Sequence, residues 1–209
     1  MADQWLNTLF CPISQVQTGR PELALTFDII NGEQRPDRIL TLLEQHETAK
    51  ATFFLSGSWA SAYPALVRRM VTLGFEVASH GDAHLKYTEH DNLWIEEQVN
   101  RAQAAIAAVT GLKNRLIRTP YGDYDRRVLY LLYTLGYLTV QWSVDSLDWQ
   151  NRGVEWIVHR VLTQVKPGSI ILLHAGADSE QTEAALPEIL RGLGERGYTS
   201  VTVSELIQK

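Results

Sequence analysis

The chain of 209 residues contains one cysteine, Cys11, which excludes an internal disulfide and any cysteine-rich metal site but decides nothing about compartment. Long apolar runs are missing too: none approaches the ~18 residues of a membrane span, so no span is expected. The start Met1-Ala-Asp-Gln-Trp5 has neither the basic nor the apolar stretch of a signal peptide, although an anchor removed upstream would leave no mark. Positive charge is scarce, with a formal net charge of -5. A protein that clamps nucleic-acid phosphates needs a basic face, so no nucleic-acid partner is expected; neutral partners such as glycans stay open. Repeats, linkers and low-complexity tracts are absent as well. What is there is an ordinary globular composition, 45% hydrophobic and 21% charged, of a length one core can fill, and residues 1–209 are expected to form a single domain.

Short apolar, β-branched runs alternate with amphipathic stretches nearly from end to end. Strands are expected at Glu22 to Asp28, Ala51 to Leu55, Phe75 to Ser79, Arg115 to Thr119, Tyr137 to Trp142, Ser169 to His174 and Thr199 to Val203. Helices are expected at about Asp37 to Thr48, Tyr63 to Leu73, Leu93 to Thr110, Asp125 to Leu135, Val154 to Gln164 and Glu180 to Glu195. Runs such as Ile170-Ile171-Leu172-Leu173 are apolar on both faces, as parallel strands covered on each side should be. Repeated units of this kind build either an open doubly wound sheet or a closed barrel. Asp28, His80, Arg118, Asp145, Asp148 and His174 all fall at or just beyond the C-terminal end of an expected strand, where α/β barrels carry their chemistry.

His80 and His84 stand four residues apart in Ser79-His80-Gly81-Asp82-Ala83-His84, close enough to share a zinc-like ion if the segment coils after its strand; the same spacing also fits two solvated loop histidines. His46, His90 and His159 read as surface residues. Asp28 ends an apolar strand, where a carboxylate needs a partner or a task, a strand-end cap being the plain alternative. Arg118 could hold such a carboxylate ionised through its planar fork or form a purely structural ion pair. His174 closes the apolar run from Ile170 and reads as a site residue or a satisfied core histidine. Asp148 could orient and charge an imidazole. Trp142 and Trp149 could stack on sugar rings or simply pack. A glycosidase pair of Asp145 and Asp148 leaves both histidines and Arg118 unexplained.

In chain order these segments resemble the five motifs of the polysaccharide deacetylases, the family 4 carbohydrate esterases. Thr26-Phe27-Asp28 resembles the first motif, His80 to His84 the second, Arg118-Thr-Pro-Tyr-Gly122 the third, Asp145-Ser-Leu-Asp148-Trp149 the fourth and Leu172-Leu-His174 the fifth. The likeness spans about residues 22–205, and Ala51 to Leu55 with Gln141 to Asp145 look closest to the sporulation-associated subgroup of endospore-forming bacteria. The resemblance implies a distorted (β/α) barrel of seven or eight strands, TIM-like, that hydrolyses N-acetyl groups of an amino-sugar polymer such as peptidoglycan or a chitin-like chain. It implies Asp28 as general base, Arg118 as its tether, and His174 as general acid with Asp148 as partner. The Tyr121 backbone N–H would serve the oxyanion, with Trp149 and Leu172 around the acetyl methyl. A divalent metal, zinc or else cobalt or manganese, would sit on His80 and His84, with Asp28 one alternative for a further ligand. The cell envelope or spore would be its place, and no protein partner is implied. One position departs from the pattern: the family's first motif usually has a second aspartate after the base, the third metal ligand, and here that position is Ile29. An alkyl chain cannot ligate, so the site would rely on water, on Asp28 turned inward, or on a substitute such as Asp82 or Asn31, with weaker metal binding. Ile29 therefore also raises the expectation of a catalytically silent, glycan-binding homologue.

Overall fold

The structure is a computed structural model describing residues 11–46 and 49–208. The Met1–Trp5 start and the last residues of the helix expected to reach Thr48 lie outside the described residues. Among the described residues eight strands follow one another as β1 (Glu22–Ile29), β2 (Ala51–Leu55), β3 (Glu76–Ser79), β4 (Leu116–Ile117), β5 (Leu138–Thr139), β6 (Val144–Asp145), β7 (Ile170–His174) and β8 (Thr199–Val201). Between and after them come α1 (Gln34–Gln45), α2 (Gly57–Ala62), α3 (Pro64–Thr72), α4 (Asn92–Thr110), α5 (Arg126–Thr134), α6 (Val154–Gln164), α7 (Thr182–Glu195) and α8 (Val203–Ile207). No helix among them is long and apolar enough to cross a membrane.

All strand pairs are parallel, in the order β5-β4-β3-β2-β1-β7-β6, with β8 against the first residues of β1. The sheet curls into a barrel left open between β5 and β6. Strand periodicity sorts its two faces. Leu23, Leu25, Phe27 and Ile29 of β1 point outward and pack with Ile39 and Leu43 of α1 and Leu186 and Ile189 of α7. Ala24 shares the inner cluster with Phe54, Ala78, Val140 and Ile170. Asp28 has the parity of Ala24 and emerges at the inner, C-terminal end of the same strand, while Ile29 faces the helices.

The open side is bridged by the N-terminal segment: Ile13 pairs with Val140 and Gln15 with Ser169. Ile13 N–H donates to the Thr139 carbonyl (2.8 Å), Gln141 N–H to that of Ile13 (2.8 Å) and Val16 N–H to that of Gly168 (2.9 Å). A methyl at Gly168 would lie 1.7 Å from the Val16 carbonyl oxygen, so the crossing needs a glycine there.

Several elements differ from the sequence expectation. The strand expected to reach Val203 stops at Val201, because Thr202 and Glu205 form a reciprocal capping box that starts α8. Helix α2 was not expected; Ser56 opens it by accepting from Trp59 N–H. β4 and β5 are shorter than the runs that suggested them, and Val140, the residue after β5 in the second run, is spent on the bridge to Ile13. The short β6 was missed because two residues carry no readable period.

Candidate active site

The loops after β1, β3, β4, β6 and β7 converge on a cleft of about 420 Å³ whose lining includes Asp28, His80, His84, Tyr121, Trp149 and His174. Leu172, Trp142 and Asp145 also line it. Arg118 and Asp148 lie behind this surface, both fully buried, each bonded to a lining residue.

Arg118 Nη1 donates to Asp28 Oδ1 at 2.7 Å. Its other nitrogens are engaged too, Nε by the Val140 carbonyl (3.4 Å) and Nη2 by that of Gln141 (3.2 Å), and its Cζ lies 4.1 Å from the Phe54 ring centroid. Burial alone would raise the Asp28 pKa; Arg118, then His80 and His174, outweigh it and hold the carboxyl below its ordinary value. Asp28 is therefore an ionised, acceptor-only group at neutral pH.

His80 Nδ1 lies 2.9 Å from the Arg118 carbonyl oxygen. A carbonyl only accepts, so Nδ1 carries the proton and Nε2 keeps its lone pair, 3.8 Å from Asp28 Oδ2. Burial lowers the His80 pKa, with Asp28 pulling the other way. The His84 ring is 5.2 Å from that of His80 and 4.1 Å from that of Tyr121, and burial, helped by His80, lowers its pKa to about 4. Both imidazoles are thus neutral near pH 7, the form that ligates metals.

The substitutes considered for the missing ligand do not join them. Asn31 is spent on the loop after β7, accepting from Ala177 N–H (2.7 Å) and donating to Asp178 Oδ2 (3.1 Å). The Asp82 carboxylate lies against Gly57, and the Ile29 side chain is buried in the outer core. Among the described residues no three His, Cys, Asp or Glu side chains come together to hold a metal ion. Two neutral nitrogens fit a zinc-like ion; no third side chain completes the set.

Across the cleft, His174 Nδ1 lies 2.7 Å from Asp148 Oδ1. The carboxylate accepts, so Nδ1 bears the proton and Nε2 is the nitrogen left for the cleft. Burial alone would lower the His174 pKa, but the hydrogen bond and charge of Asp148, then Asp28 and Asp145, raise it. Asp148 also accepts from the N–H groups of His174 (2.7 Å) and Trp149 (3.0 Å) and from the Thr182 hydroxyl (2.6 Å). Fully enclosed and fully bonded, it has no oxygen to offer a substrate, which removes the glycosidase pairing with Asp145. Trp149 is 51% and Tyr121 62% exposed, so both present ring area at the cleft mouth, Tyr121 with one side against His84. His46 and His159 are exposed as expected; His90 is half-buried against Trp94, ring centroids 3.8 Å apart.

The non-glycine residues with left-handed backbone among those described are Tyr121 (φ 60°), Leu147 (φ 52°) and Asn151 (φ 50°). Tyr121 lines the cleft, and the other two flank the turn that carries Asp148 and Trp149. Such strain gathers where a fold over-determines a functional loop. Sequence reading passed over Asp178 and its bond to Asn31, since a polar pair 147 residues apart gives no signal, and Thr182, which looks like any residue at a helix start.

A family model described as Polysaccharide deacetylase matches residues 15–140. A chitooligosaccharide deacetylase of Sinorhizobium fredii is 38% identical over 193 residues, 87% of this chain and 89% of that protein. Among solved structures, a peptidoglycan N-acetylglucosamine deacetylase superposes with a TM-score of 0.92 at 27% identity, covering 99% of this chain and 96% of that one. A family 4 pseudoenzyme from Bacillus anthracis does so with a TM-score of 0.87 at 28% identity, covering 94% and 68%; a mutant of it has restored enzymatic activity.

Proposed function

Because the chain belongs to the polysaccharide deacetylase family, hydrolases of carbon–nitrogen bonds outside peptides, we propose that its cleft removes N-acetyl groups from an amino-sugar polymer of the chitin-oligosaccharide or peptidoglycan kind. One observation carries this reading: an ionised carboxylate, Asp28, and a charge-supported imidazole, His174, come from adjacent strands in register and line one cleft with two neutral imidazoles. Asp28, kept ionised by Arg118, takes the proton of the attacking water. The Tyr121 N–H steadies the oxyanion that forms on the acetyl oxygen, and Leu172 and Trp149 enclose the methyl group. His174, its Nδ1 proton engaged by Asp148, delivers a proton from Nε2 to the departing amine. A divalent ion on His80 and His84, zinc by donor chemistry with cobalt or manganese as alternatives, would supply Lewis-acid polarisation of the acetyl carbonyl. Intact polymers of this kind lie outside the cytoplasm, so the reading places the protein in the envelope. The finer likeness to the sporulation-associated subgroup, resting on two short phrases, would place it in the spore.

The test is acetate release from N-acetylglucosamine oligomers and from peptidoglycan. Asp28→Asn should lower it by about 10²- to 10⁴-fold, the usual contribution of a general base, with circular dichroism unchanged. Full activity in that variant would remove Asp28 from the chemistry.

A specific observation favours a second reading, a silent glycan-binding homologue: the residue after Asp28 is an isoleucine buried in the outer core, leaving two side-chain metal donors. Acetate assays with added zinc, cobalt or manganese, run beside oligosaccharide binding, separate the two. Binding without turnover under every metal selects the silent reading.

A further inference from the structure

Behind the acid side of the cleft lies a hydroxyl that the proton transfers above do not use. Thr182 is the first residue of α7 and wholly buried. Thr182 follows the N-cap residue Gln181 and does not cap the helix; its hydroxyl instead donates to Asp148 Oδ2 at 2.6 Å. We infer that Thr182 is a positioning residue for His174, fixing the rotation of the Asp148 carboxylate and, through it, the tautomer and direction of the imidazole.

The geometry of Asp148 leads to this. Its Oδ1 faces the His174 Nδ1–H and the Trp149 N–H, and its Oδ2 faces the His174 N–H and the Thr182 hydroxyl. The torsion that turns a carboxylate about its own axis is broad and soft, so the donors on Oδ2 decide where Oδ1 points. Without the hydroxyl, Oδ2 keeps a single donor, the His174 N–H, in a site closed to water, and the carboxylate is held less firmly. His174 Nδ1 then faces a less fixed acceptor, and the neutral ring is held less strictly in the Nδ1-protonated form. Thr182 comes from α7, whereas Asp148 follows β6 and His174 ends β7, so one hydroxyl ties three segments together.

The structural part of this inference stands apart from the deacetylase reading; only its effect on turnover rests on that reading. The experiment therefore has two readouts on Thr182→Val, which keeps the shape and removes the hydroxyl: imidazole ¹⁵N resonances of His174, and steady-state acetate release. The expected result is a mixed tautomer where the parent is Nδ1-protonated, and a kcat lower by about 10- to 100-fold, the range for outer partners of a functional imidazole, at unchanged KM. Thr182→Ser should restore both. A shifted signal in a protein without turnover would keep the role of Thr182 and reject the deacetylase reading. An unchanged signal, with or without loss of turnover, overturns the role. Thr182→Ala supplies the same comparison should the valine variant fail to fold.

Discussion

At the scale of single residues, the site rests on two charge pairs of opposite design. Arg118 and Asp28 are both removed from water, and breaking a buried pair leaves a bare charge behind, which typically costs about 3–5 kcal/mol. Arg118→Met should lower the unfolding free energy by that amount in urea titrations at pH 7. The sign with pH follows from the depressed Asp28 pKa: the pair's contribution is present above the unfolded carboxyl value and is lost as pH falls through the folded one. The gap between parent and variant should therefore narrow in acid, where Asp28 carries a proton and needs no partner. His174 with Asp148 works the other way, since its pKa is raised and the acid form persists to higher pH. Asp148→Asn removes the largest raising influence. The alkaline limb of kcat/KM should then move to lower pH and the rate drop roughly 100-fold; a profile with an unmoved limb would detach Asp148 from His174.

At the scale of elements, the seating of the His80 loop depends on a close approach between helices. Gly57 N–H donates to the Gly81 carbonyl (2.8 Å), and a methyl on Gly57 would lie 2.6 Å from Ala102 Cα of α4. Gly57→Ala must push α2 away from α4, and overpacking of this kind costs about 1–3 kcal/mol. Thermal unfolding should register the loss, and NMR shifts of His80 and His84 should move with it. The strands were legible because parallel strands covered on both faces are written as unbroken apolar runs; Ala51 to Leu55 matches β2 residue for residue. Asp28, His80, Arg118, Asp148 and His174 were legible as polar residues stranded at the ends of such runs. What could not be read was anything fixed by partners far along the chain: α2, whose six residues acquire a face only against α4, the two-residue β6, and the bonds of Asn31 and Thr182. The neglect of Asp82 and Asn31 by the histidine pair was equally hidden, since sequence proximity says nothing about which way a side chain turns.

At the scale of the whole molecule, the barrel is unevenly fastened. β1 is laddered on both sides, to β2 and to β7, through five register pairs each, whereas among the described residues β5 and β6 share no ladder, and the segment around Ile13 and Val16 joins the end of β5 to the turn at Gly168 and Ser169 before β7. Local opening selects the least supported backbone bonds, so hydrogen exchange should be faster at the amides of Ile13, Val16 and Gln141 than at those of Phe27 and Leu173. Equal protection would mean that the seam is as firm as the centre. Asp28 and His174 sit on the firm side, across one ladder from each other, while Trp142 stands beside the gap. On the proposed deacetylase reading, the spacing of Asp28 and His174 is thus insulated from the cleft wall at Trp142, and that wall could yield to bulkier or decorated rings without detuning the chemistry.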